Sequence, residues 1–346
     1  MLKNRENPLI RQIGVQTKGR MENSIFNSVQ FIFAVIFLLF AFAFANAERV
    51  VGANSSLETA QGAKSAAVGI AALPVLNDLP SLTKNPLQLS EWDKLSLAFT
   101  HVAYFEETSY NGVAMAVPLK GAGALGFAAS RFGASDIPYI REGEPLPEGD
   151  NYNTLSISDW IFTSAWGKSF GKWNLALSLH LLKREIDQSG WGFRSDVAAG
   201  YEFSKKFMLA GIIEGWTSSA VKWESGNFEY TSPEAYAAFR FSEPFPYFYG
   251  TLNLYWQSTG ILHSESEKET RAWKNPVDWF LASSAGLEFE TNISFSLRAG
   301  LVKINDANSL TLGAGIKPIS LLSADYAFQM HNELSSAHRI SITANF

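Results

Sequence analysis

The sequence predicts an all-β fold: a transmembrane outer-membrane β-barrel of about 14 antiparallel strands, with a small N-terminal helical or irregular plug. Three observations predict it. Apolar and polar residues alternate with period two over much of 92–346. Mean hydropathy is −0.01 although 47% of residues are hydrophobic. The chain ends in a strictly alternating run closed by Phe346. Alternation sends successive side chains to opposite faces of a sheet. It also cancels in a hydropathy average, so a barrel can hide where a bundle of membrane helices cannot.

Composition narrows the function. The formal net charge is −5, the wrong sign for phosphate contacts, so a nucleic-acid partner is not expected. The absence of cysteine excludes a disulfide scaffold, thiolate zinc sites, iron–sulfur clusters and a cysteine nucleophile.

Taken in order, residues 1–47 read as a secretory signal. Lys3, Arg5, Arg11, Lys18 and Arg20 precede the apolar run Phe31 to Ala45, and Ala45-Asn46-Ala47 supplies the small-x-small cleavage pattern. The run is short for a spanning helix. Cleavage near Ala47 and insertion in the outer membrane are the expected outcome. Residues 48–91 carry the small-residue stretch 60–72, then Pro74, Asp78, Pro80 and Asn85-Pro86, with no period of two. They are expected to form the plug.

From Trp92 onward, breaks at Gly, Pro, Asn, Asp and charge clusters delimit strands at 93–105, 109–119, 122–132, 154–167, 173–185, 190–203, 206–217, 232–242, 246–257, 277–289, 292–303, 308–317, 319–329 and 337–346. Each is near the length that a tilted membrane strand needs. With a periplasmic N-terminus, connections after even strands are short, and the three longest (133–153, 218–231, 258–276) all follow odd strands, the asymmetry of outer-membrane barrels. Trp92, Trp166 and Trp173 fall at predicted periplasmic ends; Trp191, Trp216, Trp256 and Trp279 fall at outer ends, where interface girdles sit. Ile340, Ile342, Ala344 and Phe346 share one face of the last strand and look like the signal that barrel-assembly machinery reads. Outer-membrane lipid and that machinery are the expected partners.

No catalytic constellation is visible, and the expected protein is not an enzyme and carries no cofactor. Gly121-Ala122-Gly123-Ala124-Leu125-Gly126 matches the dinucleotide fingerprint by letter but opens a strand with no helical period after it. The five histidines form no His-x-x-x-His pair. The acidic loop 141–150 lacks EF-hand spacing. Among the few charges inside strands, Arg131, Glu214 and Arg298 are the candidate lumen charges, because Arg at the bilayer midplane costs about 2–4 kcal/mol on the lipid face.

Residues 62–89 resemble the opening of the PorV/PorQ family, within the wider FadL-like group of outer-membrane barrels. Gly62-Ala63-Lys64, then Gly69, Asp78 and Asn85-Pro86 carry the resemblance; Ile70 stands where the family has glycine and Leu87 where it has alanine. The resemblance implies a 14-stranded barrel with its N-terminal segment in or under the lumen. It implies an accessory or cargo-shuttle role in type IX-like secretion, with secreted proteins or secretion-system subunits as partners. The FadL-like alternative is a transporter that passes hydrophobic small molecules through the barrel wall.

Overall fold

The computed structural model describes residues 55–104, 108–140, 152–186, 188–217, 219–231, 233–260, 276–331 and 335–346. The signal expected over 1–47 lies outside them. Strands β1 (Ser96–Ala103), β2 (Ser109–Leu119), β3 (Gly123–Tyr139), β4 (Asn153–Phe170), β5 (Trp173–Glu185), β6 (Ser189–Ser204) and β7 (Phe207–Glu214) are followed by β8 (Ser219–Trp223), β9 (Phe228–Thr231), β10 (Glu234–Phe245), β11 (Gly250–Gln257) and β12 (Ser284–Thr291). The last four are β13 (Phe295–Leu301), β14 (Leu310–Ile319), β15 (Leu322–Gln329) and β16 (Ala337–Asn345). All pairings are antiparallel, β1 pairs with both β2 and β16, and β5 with β6, so the sheet closes on itself. Closure leaves no edge around the barrel, which a lipid environment requires. The Phe346 amide donates to the Leu95 carbonyl at 2.7 Å and extends the seam.

Sixteen strands make a barrel of fourteen. β6 pairs with β7 at Val197↔Ile213 and with β8 at Phe193↔Ala220, so β8 continues the line of β7 past a break at Gly215–Thr217. β9 and β10 likewise follow one line, pairing with β8 and β7. The expected loop 218–231 is therefore mostly a strand extension beyond the rim, with its tip near Gly226 (φ +88°).

The strand order of the sequence reading holds, with local corrections. β3 runs on through 133–139 of the expected loop 133–153, because a register shift between Ala134 and Ile137 absorbs residues that read as turn signals; residues 141–151 lie outside the described ones. The expected start of a strand at 277 is a helix, Pro276–Leu281, with proline at its first position and Asp278 in its first turn. Pro246–Phe248 is a short turn ending at Tyr249, with φ +49°. One turn expected at 318 falls at 320–321. Short connections at 120–122, 171–172, 205–206, 246–249, 292–294 and 320–321 share one end, the periplasmic end in outer-membrane barrels.

Face assignment follows the period of two. On β5, Leu177, Leu179 and Leu181 point out, while Ser178, His180 and Leu182 are buried inside. On β16, Ile340 and Ile342 face out and Arg339 and Ser341 face in. The rings of Trp173, Tyr201 and Phe203 adjoin at centroid distances of 4.8 Å near the periplasmic rim, and Trp256 stacks near Phe280 at the outer one.

Candidate functional site

The lumen is filled by residues 55–91, and this plug is the candidate site. Its frame is built from the residues that carried the family resemblance. Gly62 precedes the helix Ala63–Ala67, and its amide donates to Ser81 Oγ at 2.7 Å. A Cβ there would strike the Asp78 carboxylate and Pro80. Asp78 accepts from the Ser65 amide and from the Ser65 and Ser81 hydroxyls, tying the helix to the next turn. Asn85 donates to the Ala72 and Val75 carbonyls at 3.0 and 2.8 Å, and its Oδ1 accepts from the Leu87 amide. Pro86 then opens the 3-10 turn Pro86–Glu91. Gly69 and Ile70 both adopt the left-handed conformation, φ +78° and +63°. Glycine tolerates it; a β-branched side chain at Ile70 does so at a cost. The departure from the family pattern thus falls where glycine fits best.

The wall receives this frame at three apolar seats. Leu73, Leu76 and Leu87 pack on Ala176, Ala198, Met208, Ala210, Ile212 and Ala238. Leu79, Leu82 and Leu89 pack on alanines 98, 114, 116, 124 and 165. Leu57 and Ala60 meet Val102, Tyr110, Ile161 and Leu182. Inward glycines let the backbones approach: a Cβ on Gly126 would lie 2.8 Å from both Leu82 and Leu89, and one on Gly300 would overlap the Gly69 amide nitrogen. Gly126 is the last glycine of the apparent dinucleotide fingerprint, and its role is to seat leucines. Thr311 stitches the same region, accepting from the Gly69 amide and donating to the Ala67 carbonyl, both at 3.0 Å. The Ala63 amide donates to Ser341 Oγ at 2.9 Å.

Two buried charge clusters tie plug to wall. Lys84 reaches Glu214 at 2.8 Å; Arg194 spans Glu214 and Asp196; Asp196 meets His180 Nε2 at 2.9 Å, and His180 Nδ1 meets Thr163. On the other side, Arg298 bridges Glu288 at 2.8 Å and Asp325 at 2.6 Å, with Lys64 3.6 Å from Glu288 and the Tyr255 hydroxyl donating to it. Glu214 and Arg298 are thus buried inside these clusters. Sequence reading did not find their partners Lys84, Lys64, Asp196 and Asp325, because register, not spacing, brings them together.

Arg131 is not a lumen charge. It sits in phase with Leu125, Phe127 and Ala129, side chain outward and exposed, with Nε donating to Ser158 Oγ at 2.9 Å. The midplane penalty does not apply, because β3 carries it toward the outer rim, where the cost falls to about 0–1 kcal/mol. Ile340, Ile342, Ala344 and Phe346 lie on the lipid-facing side of the closing strand.

Below the plug, at the periplasmic end, a polar cavity of about 570 Å³ is lined by Lys64, Glu290, Arg298, Lys317, Asp325 and Asn345 among others. At the same end, Asn174 Nδ2 lies 3.2 Å from a carboxylate oxygen of both Glu91 and Glu202. Partial desolvation and the neighbouring Glu202 push the Glu91 carboxyl up to about 7.

No family profile and no curated relative matches the chain. Solved structures do. The toluene transporter TbuX of Ralstonia pickettii superposes with a TM-score of 0.51 at 11% identity, covering 82% of this chain and 98% of that one. The fold is that of this transporter's β-barrel. The CymD monoaromatic hydrocarbon channel (TM-score 0.49, 11% identity, 83% and 98% covered) and a FadL homologue of Pseudomonas aeruginosa (0.47, 10%, 87% and 99%) also match.

Proposed function

We propose that this protein passes hydrophobic small molecules across the outer membrane by partial displacement of its plug. The observation that carries the reading is the set of apolar seats in the lumen wall beneath the plug leucines. A water-filled porin has a polar interior. Here the residues that seat the plug leucines are Ala, Val, Ile, Leu, Met and Tyr110 on the inner faces of β1 to β7 and β10, set between buried polar side chains. Such a surface suits an apolar solute once a leucine moves aside.

Magnitudes favour partial over complete displacement. Each fully buried leucine is worth about 1.5–3 kcal/mol, and six line the two larger seats. Ejecting all of them, with both ion-pair clusters broken, costs far more than shifting one end. The polar cavity below suits the periplasmic mouth of a barrel and offers an apolar solute little. The secretion role implied by residues 62–89 rests on that resemblance alone, since the same residues have a framing job inside the plug.

The chain has no native cysteine, so an engineered lock is clean. Ala63→Cys with Ser341→Cys would pin the plug to β16, and oxidation is expected to stop uptake of a labelled alkylbenzene or long-chain fatty acid by cells expressing the protein. Reductant should restore it. Uptake by the oxidised double variant at the unlocked rate would remove the plug from the path. No excess uptake over cells lacking the unmodified chain would remove the hydrophobic solute.

A further inference from the structure

Arg131 opens onto a longer feature of the outer face. Following directly opposed residues from strand to strand gives one row: Arg131↔Trp160, Trp160↔Lys183, Lys183↔Trp191, Trp191↔Lys222 and Lys222↔Phe228. Cation and ring alternate across six strands, β3 to β6, β8 and β9. The Lys183 ammonium lies 5.9 Å from the Trp191 ring centroid, and that of Lys222 lies 5.6 Å from that of Phe228. Arg131, Trp160, Trp191, Lys222 and Phe228 are exposed, Lys183 half-buried. Glu185 is the acid paired with Lys183, at 2.5 Å.

The height of the row identifies what it meets. Arg131 stands about ten residues above the periplasmic turn of its hairpin. At about 3.3 Å per residue and a tilt near 40°, that is roughly 25 Å, the height of the apolar band of such barrels. Trp160 and Lys183 lie slightly higher, and Trp191 and Lys222 higher still, as the row climbs. The row therefore begins where acyl chains end and rises through the headgroup layer. Tryptophan and basic residues favour that layer, rings against chain ends and cations toward anionic groups.

We infer that this row is a binding site for the phosphorylated headgroup of an outer-leaflet lipid, with Arg131 and Lys183 meeting phosphate, Trp160 between them packing on the headgroup, and Trp191 covering it from above. Arg131 offers the planar donor fork that suits phosphate, beyond the one bond that it gives to Ser158. The inference rests on the outer-membrane location and not on any solute passed by the lumen.

The test is native mass spectrometry of the purified full chain from mixed micelles, with diphosphoryl lipid A, enzymatically dephosphorylated lipid A and phosphatidylethanolamine as separate probes. The unmodified chain should retain diphosphoryl lipid A at least fivefold over the dephosphorylated form. Arg131→Gln with Lys183→Gln should erase that preference, while Lys206→Gln, at the periplasmic end beside Glu243, should keep it. Heat-modifiable migration in detergent gels reports folding of each variant. Equal retention of the two lipid A forms by the unmodified chain overturns the proposal, with or without a folded variant. So does a folded double variant that still discriminates.

Discussion

Replacing Gly300 with alanine adds one methyl group to the inner wall of β13 and should loosen the helical end of the plug. That methyl would overlap the Gly69 amide nitrogen and the Val68 carbonyl carbon. Neither is a side chain that can rotate away, so the segment around Gly69 must retreat. Retreat breaks the two hydrogen bonds of Thr311, to the Gly69 amide and the Ala67 carbonyl. Each contributes about 0.5–1.5 kcal/mol. Residual overpacking adds about 1–3 kcal/mol, and the entropy that alanine removes from the unfolded chain returns about 0.4–1 kcal/mol. The net expectation is a local loss of about 1–5 kcal/mol. Protease cleavage of a transiently released segment tracks its open population, so cleavage within 60–75 should rise at least about fivefold. The control is Gly211→Ala, where a Cβ would meet nothing closer than the Tyr236 carbonyl at 3.5 Å. If both variants resist protease as the unmodified chain does, the close seat of plug on wall is wrong.

Three further outcomes follow from the site. The Glu91 carboxyl, raised from 4.5 to about 7, binds more protons folded than unfolded. Its contribution is complete below about pH 4.5 and is lost as pH rises through about 7. Thermal midpoints in detergent should therefore fall across that window, and Glu91→Gln should flatten the fall; an unchanged slope would assign it elsewhere. Glu288→Ala strips Arg298 of one of its two carboxylates and should cost about 3–5 kcal/mol in denaturant unfolding, whereas the double change to Met at Glu288 and Arg298 should cost less, because the two charges it leaves without these partners, Asp325 and Lys64, line the polar cavity and can be hydrated there. A double variant worse than the single one would contradict this. Ile70→Gly relieves a left-handed β-branched residue worth about 1–2 kcal/mol of strain, so stability should hold or rise; a loss above about 1 kcal/mol would show that the side chain matters more than the backbone.

Much of the barrel was legible because strands obey a local rule. Leu177, Leu179 and Leu181 announce a lipid face by spacing alone, and the turn at 171–172 follows from Gly171. The extension β8–β9 was missed because a break at Gly215–Thr217 looks like the end of a strand when the partner strand is unseen. Arg131 was placed on the wrong face by a penalty that depends on height; its phase with Phe127, four residues earlier, held the right answer. The pairing of Lys84 with Glu214 had no signal in the sequence, since 130 residues separate them and nothing local marks a cation as bound for the lumen.

The bond between the Ala63 amide and Ser341 spans 278 residues, and its neighbours at Thr311 span more than 240. The plug helix is therefore fastened by strands that are synthesised about 240 to 280 residues after it. Contacts so distant along the chain are late to form. A half-assembled sheet lacks the wall bonds that fasten the plug at its helical end, and the seam of β1 with β16 closes with the same strand that supplies Ser341. Sealing and completion of the cylinder thus coincide, and a finished barrel with an unguarded bore is not a stage through which the protein has to pass.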